Sequence, residues 1–223
     1  MQQARFWFLT GFLLLGIVAL VHGADAFRLE RVRQLAQQRY GARGGAVVGD
    51  WMNALSVFQG ESEEQRLRDV NEYFNRRLRF VDDQTLWGQG DYWATPVEAL
   101  IKGGGDCEDF AVAKYFSLKL LGIPASKLRI TYVRARIGGA ASDITQAHMV
   151  LTYFSTPDAE PLVLDNLVGE IRPASRRTDL QPAFSFNTEG VWPAGAGEPQ
   201  PGGSSRLVKW NDLLQKMKSE GFE

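Results

Sequence analysis

The sequence predicts an α+β domain in which N-terminal helices and a central cysteine-bearing helix pack on an antiparallel sheet. Two observations carry this expectation. Apolar residues recur at helical spacing through most of residues 27–121, and from residue 128 they alternate with a period of two. Helices first and strands later is the pattern of an α+β fold.

Residues 27–40 place Leu29, Val32, Leu35 and Ala36 on one helical face, with Gly41 as a stop. Asp50 is a candidate cap for a second helix carrying Trp51, Ala54, Leu55 and Phe58, which Gly60 ends. Ser62 and Gln65 have the spacing of a capping box for a third helix, whose stripe is Leu67, Val70, Phe74 and Leu78. A loop rich in aromatics, with Trp87, Tyr92 and Trp93, occupies residues 82–95. It is placed to line a peptide cleft, to bind a partner protein or to join the core. Thr95-Pro96-Val97-Glu98 starts a fourth helix, with proline at its first position, and that helix ends before Gly103-Gly104-Gly105. The fifth begins near Cys107 and runs to Leu121, closed by Gly122 and Pro124. Its Val112, Tyr115, Phe116, Leu118 and Leu120 leave little polar face, as a central buried helix requires.

Residues 128–136 then alternate as a strand, 138–146 form a loop, and 147–154 and 161–167 read as two further strands. Residues 193–205 are a Pro/Gly/Ser-rich linker or long loop. Trp210, Leu213, Leu214 and Met217 mark a short C-terminal helix.

The chain has 223 residues, which suits one domain with a real core. A formal net charge of -1 gives no bulk-charge argument for nucleic acid or an anionic membrane surface. Arg5 is followed by an uncharged run over residues 6–21, and Ala24 and Ala26 then satisfy the small-x-small cleavage pattern. Residues 1–26 therefore read as a signal peptide and 27–223 as the domain. The rival reading is an uncleaved anchor, since the run approaches the lower limit for a span. Either way the rest of the chain faces a non-cytoplasmic space.

Export sharpens the reading of Cys107, the one cysteine. Secreted domains usually carry cysteines in pairs, so a lone thiol is either buried and inert or chemically used. The chain holds two histidines, and His22 lies in the leader. Thiol chemistry would thus fall to Cys107 and His148. Cys107 sits where a glycine run meets a helix N-terminus, whose partial positive charge favours thiolate and whose free N–H groups suit an oxyanion. An ordinary glycine-rich loop before a buried helix fits the same residues. If 147–154 and 161–167 form a hairpin, parity puts His148 and Asp165 on one face, whether 148 lies opposite 165 or opposite 167. The imidazole could then take the thiol proton while the carboxylate fixes its tautomer. Alternation sets His148, Val150 and Thr152 against Met149, Leu151 and Tyr153 on the other face.

GGGDCEDFAVAKYFSLKLLGIP, then AHMVLTY, then LVLDNL, resembles the bacterial transglutaminase-like cysteine proteinase family and, within it, the LapG-like periplasmic proteases. DYWATPVEAL upstream fits as well, and the resemblance runs from about Trp51 to the C-terminal helix. It implies a papain-like, transglutaminase-type fold with Cys107 as nucleophile, His148 as base and acid, and Asp165 as orienting group. It implies a periplasmic protease that cuts the N-terminal region of a large surface adhesin at a di-alanine site. It also implies dependence on calcium, restraint by an inner-membrane receptor for cyclic di-GMP, and no direct binding of lipid or nucleic acid by the mature form. Carried over by motif, Asp106, Glu108 and Asp109 would ligate the calcium, since clustered carboxylates supply its oxygen ligands. Acidic residues complementing a helix N-terminus would look the same. Transglutaminase or amidase chemistry on the same triad, and a non-catalytic binding module with an idle thiol, are the alternatives.

Overall fold

The computed structural model describes residues 4–139, 142–200, 203 and 207–222, with side chains from residue 29 onward. The leader expected over residues 1–26 lies outside the residues described in this detail. Helix α1 (Ala4–Phe58) breaks at Gly41, whose φ of 69° lies in the left-handed region that glycine alone enters freely. The stop predicted at Gly41 is therefore a sharp corner, and helix resumes at once. Asp50, expected as a cap, lies inside the second limb, where its carboxylate meets Arg77 at 3.1 Å. The corner is tight because Gly44 has no side chain. A Cβ there would come within 2.3 Å of the Ala36 carbonyl oxygen.

Helix α2 (Glu63–Arg77) starts on Ser62, whose hydroxyl accepts from the Gln65 N–H at 3.2 Å. Only half of the predicted box forms, because the Gln65 amide bonds Asp69 at 2.8 Å instead. Leu67, Val70 and Phe74 are buried as expected. Within the aromatic loop Asp82 caps a short helix, α3 (Asp83–Trp87). Helix α4 (Pro96–Lys102) has both capping-box bonds between Thr95 and Glu98, and Gly103 closes it in the left-handed region. The next two glycines are ordered. Strand β2 (Gly104–Gly105) runs parallel to β1 (Arg79–Phe80) and delivers the chain to α5 (Cys107–Leu120).

The six-stranded sheet contains β3 (Leu128–Arg136), β4 (Thr145–Tyr153), β5 (Leu162–Leu164), β6 (Arg172–Pro173), β7 (Leu180–Phe186) and β8 (Val191–Pro193). Their order is β6-β5-β4-β3-β7-β8, and every pairing is antiparallel. Strands β6 to β8 were not predicted. Pro182 hides β7 from pattern reading, and it is accommodated where the β3–β7 register shifts between Tyr132 and Val133. Helix α6 (Val208–Ser219) buries Trp210, Leu213 and Met217 as expected.

Helix α5 packs on β4 and β3 and is the centre of the molecule. Trp51 of α1, fully buried, donates its indole N–H to Ser117 of α5 at 3.1 Å. Leu151 and Tyr153 join the helix-packed core, while Val150 joins a small second core on the opposite sheet face with Val133 and Val163. The alternation predicted for β4 holds.

Gly44→Ala forces the two limbs of α1 apart and is expected to cost about 1–3 kcal/mol, as overpacking does. In thermal unfolding this corresponds to roughly 2–4 °C of Tm per kcal/mol. An unchanged Tm would mean that the corner opens freely.

Candidate active site

Cys107 is the first residue of α5 and opens into a cleft of about 650 Å³. Tyr132, Met149, Phe184 and Phe186 line it, together with His148. Trp93 of the aromatic loop also belongs to the cleft and stacks on Phe186 at 5.8 Å. Trp87 and Tyr92 stack on one another at 4.4 Å against the core. The loop is thus divided between the two roles.

His148 and Asp165 are both buried, and His148 Nε2 lies 2.8 Å from Asp165 Oδ1. The β4–β5 ladder pairs Leu151 with Leu164. Continued three residues, it sets position 148 opposite 167 with Asp165 on the diagonal, the second of the two predicted registers. Strand β5 stops at Leu164, short of the expected 167, so Asp165 lies just beyond the ladder. Its Oδ1 also accepts the Leu167 N–H at 3.0 Å.

Sequence reading missed Arg177. It is 3% exposed and donates from Nη2 to Asp165 Oδ2 at 2.7 Å and to Asp179 at 2.8 Å. Burial alone would raise the Asp165 carboxyl, but bonds from His148, Leu167 and Arg177 bring it down to about 2. Lys114, fully buried two turns along α5 from Cys107, is pulled down to about 7 by burial against the opposing charge of Asp165. With Nε2 given to the carboxylate, Nδ1 is the imidazole nitrogen left for a proton from elsewhere.

The thiol is differently placed. Cys107 Sγ donates to Glu108 Oε2 at 3.1 Å. Burial and the Glu108 and Asp106 carboxylates push its pKa up, against a hydrogen bond from the Met149 backbone. Those carboxylates belong to a crowd. Asp83, Asp106 and Asp109 place oxygens within 4.8 Å of one another, as do Asp83, Asp91 and Glu108. Burial and mutual repulsion raise Asp83, Asp106, Glu108 and Asp109 alike.

Asp109 accepts the Ala94 N–H at 2.7 Å, and Asp83 accepts that of Tyr92. Asp83 Oδ1, Asp106 Oδ1 and Asp109 Oδ2 are buried with no hydrogen-bond partner among the described residues. Unpartnered buried oxygens are costly, and convergent ones fit a hard cation with oxygen ligands. Gly105 makes room for this arrangement, since a Cβ there would lie 2.5 Å from Asp109 Oδ2. Asp106 and Glu108 join the cluster as predicted, and so does Asp109. Asp83 and Asp91 were missed, although both are visible as acids in the aromatic loop.

A cysteine at a helix start, a strand histidine paired with a buried aspartate just past the neighbouring strand, and helices covering one sheet face define a cysteine proteinase fold of the transglutaminase type. The chain belongs to the bacterial transglutaminase-like cysteine proteinase family, whose model matches residues 50–181. It is similar to solved structures of Legionella pneumophila LapG at 39% identity, with a TM-score of 0.71 over 85% of this chain and 97% of that one. The calcium-bound form of LapG gives a TM-score of 0.70 and the EGTA-treated form 0.73. Each matches at the same identity over 85% of this chain, covering 98% and 97% of its own. No curated protein sequence matches.

Arg177→Met leaves Asp165 with a buried, unpaired oxygen. Breaking a buried pair in this way is expected to cost about 3–5 kcal/mol, read from the urea midpoint. A cost below the noise of that measurement would mean that Asp165 is held without the guanidinium.

Proposed function

We propose that the protein is a calcium-dependent cysteine endopeptidase of the periplasm. It cuts the N-terminal region of a large surface adhesin at a di-alanine site, which releases the adhesin and promotes biofilm dispersal. An inner-membrane receptor for cyclic di-GMP holds it in check. One observation carries the reading. A cysteine at a helix N-terminus and a histidine paired with a buried aspartate line one cleft, in a chain 39% identical to LapG, a protein that has been solved with calcium.

Cys107 attacks the scissile carbonyl carbon. His148 takes the thiol proton on Nδ1 and passes it to the leaving amine, so that a thioester remains on Cys107. Water, deprotonated by His148, then attacks the thioester and frees the carboxylate product. Asp165 on Nε2 keeps the imidazole in the tautomer that leaves Nδ1 free, and it stabilises the imidazolium. The N–H groups at the start of α5 face the developing oxyanion.

Asp83, Asp106 and Asp109, with Asp91 and Glu108 beside them, would hold the calcium. Bound there, the ion supplies positive charge against the carboxylates that now disfavour the thiolate. Glu108 would then no longer compete with His148 for the thiol proton.

The N-terminal fragment of a large adhesin from the same genome, incubated with the protein, is expected to be cut in calcium and left intact in excess chelator. Cys107→Ala should leave it intact in both. Chelation should also lower Tm. Cutting in chelator would remove the metal from the account, and no cutting by folded protein in calcium would favour a binding module.

Asp165→Asn is expected to keep the cleft and lose activity by about 10⁴-fold, through the wrong tautomer. Near wild-type turnover would mean that another group orients His148.

A further inference from the structure

The sheet face turned away from α5 carries the small core of Val133, Val150 and Val163. Over it opens a cavity of about 330 Å³ for which the proposed proteolysis has no use. That volume lies within the range of small-molecule sites. Its walls are largely apolar, with Val163, Leu180, Pro161 and Pro182 among them, and no acidic residue lines it among the described residues.

Two arginines do line it, Arg129 and Arg177. Arg129 is clamped between rings, 4.3 Å from the centroid of Trp192 and 4.5 Å from that of Phe154. No carboxylate pairs with it among the described residues, and its Nε is buried without a hydrogen-bond partner. Arg177 spends Nε and Nη2 on Asp165 and Asp179, while its Nη1 is likewise buried and unpartnered. Each such donor forfeits a hydrogen bond that it had in water. Ring faces stabilise a cation without neutralising it.

We infer that this cavity is a second binding site, for an apolar molecule that carries one carboxylate. The carboxylate would take the terminal nitrogens of Arg129, and the apolar body would cover the valine and proline wall. A medium-chain fatty acid anion and the free C-terminal end of an apolar peptide share this chemistry. The site also reaches the catalytic pair. Arg177 lines the cavity and holds Asp165, which in turn holds His148.

The test is calorimetric titration of the full chain with sodium octanoate, with octan-1-ol and acetate as controls that each keep one feature. Octanoate is expected to bind saturably at one site, with both controls at least about tenfold weaker, a difference of one charge-assisted contact or more. Arg129→Met should weaken octanoate by the same factor and leave cleavage unchanged. No octanoate binding, equal binding of octan-1-ol, or undiminished binding by Arg129→Met would overturn the site.

An N-acetylated apolar tripeptide with a free carboxylate separates the two sources. If it displaces octanoate and its C-terminal amide does not, the occupant is a peptide end. If it fails to displace octanoate, the occupant is an acyl carboxylate. On saturation the His148 imidazole resonances should shift. Static resonances at full occupancy would overturn the coupling to the catalytic pair.

Discussion

Four carboxyl groups, from Asp83, Asp106, Glu108 and Asp109, crowd the start of the helix that carries Cys107. Carboxylates this close and this buried do not all ionise unless positive charge joins them. Much of the surrounding backbone exists to permit the crowding. Gly105 leaves space for the Asp109 carboxylate, and the β1–β2 pair fixes the glycines that lead into α5. Asp83 comes from the first position of α3, and the turn after α3 brings Asp91 to the same place at a positive φ of 55°. Helix dipole and carboxylates therefore pull the thiol in opposite directions. In the arrangement described, the carboxylates and burial prevail.

The His148–Asp165 pair rests on a different balance. Asp165 is as buried as Asp109, yet its carboxyl is lowered, because His148, Arg177 and Leu167 all donate to it. Burial raises a carboxyl that lacks donors and is outweighed where donors are present. The same sheet thus separates two environments. Carboxylates crowd one end of α5, while Asp165 is met by the guanidinium of Arg177.

The contact between His148 and Asp165 was legible because residue type and strand parity suffice to bring those two together. Either candidate register put the two on one face, so the choice of register did not matter. The capping box at Thr95 was legible because its chemistry is local. What failed was non-local. Asp50 looks like a cap in isolation, and only the close contact at Gly44 lets the helix run straight through it. Asp83 reaches the cluster from the start of α3 and Asp91 from the turn after it, and Arg177 arrives from beyond a strand too short to announce itself. Strand β7 carries a proline that pattern reading counts against a strand, and a bulge absorbs it.

The rate at which iodoacetamide alkylates Cys107 near pH 7, in calcium and in excess chelator, tests the central balance most directly. The account predicts slow alkylation in chelator, where the carboxylates hold the proton on sulfur, and clearly faster alkylation in calcium. It also predicts that Asp109→Asn loses most of that acceleration. Equal rates in the two conditions, or fast alkylation in chelator, would contradict it, because the carboxylate crowd would then have no hold on the thiol.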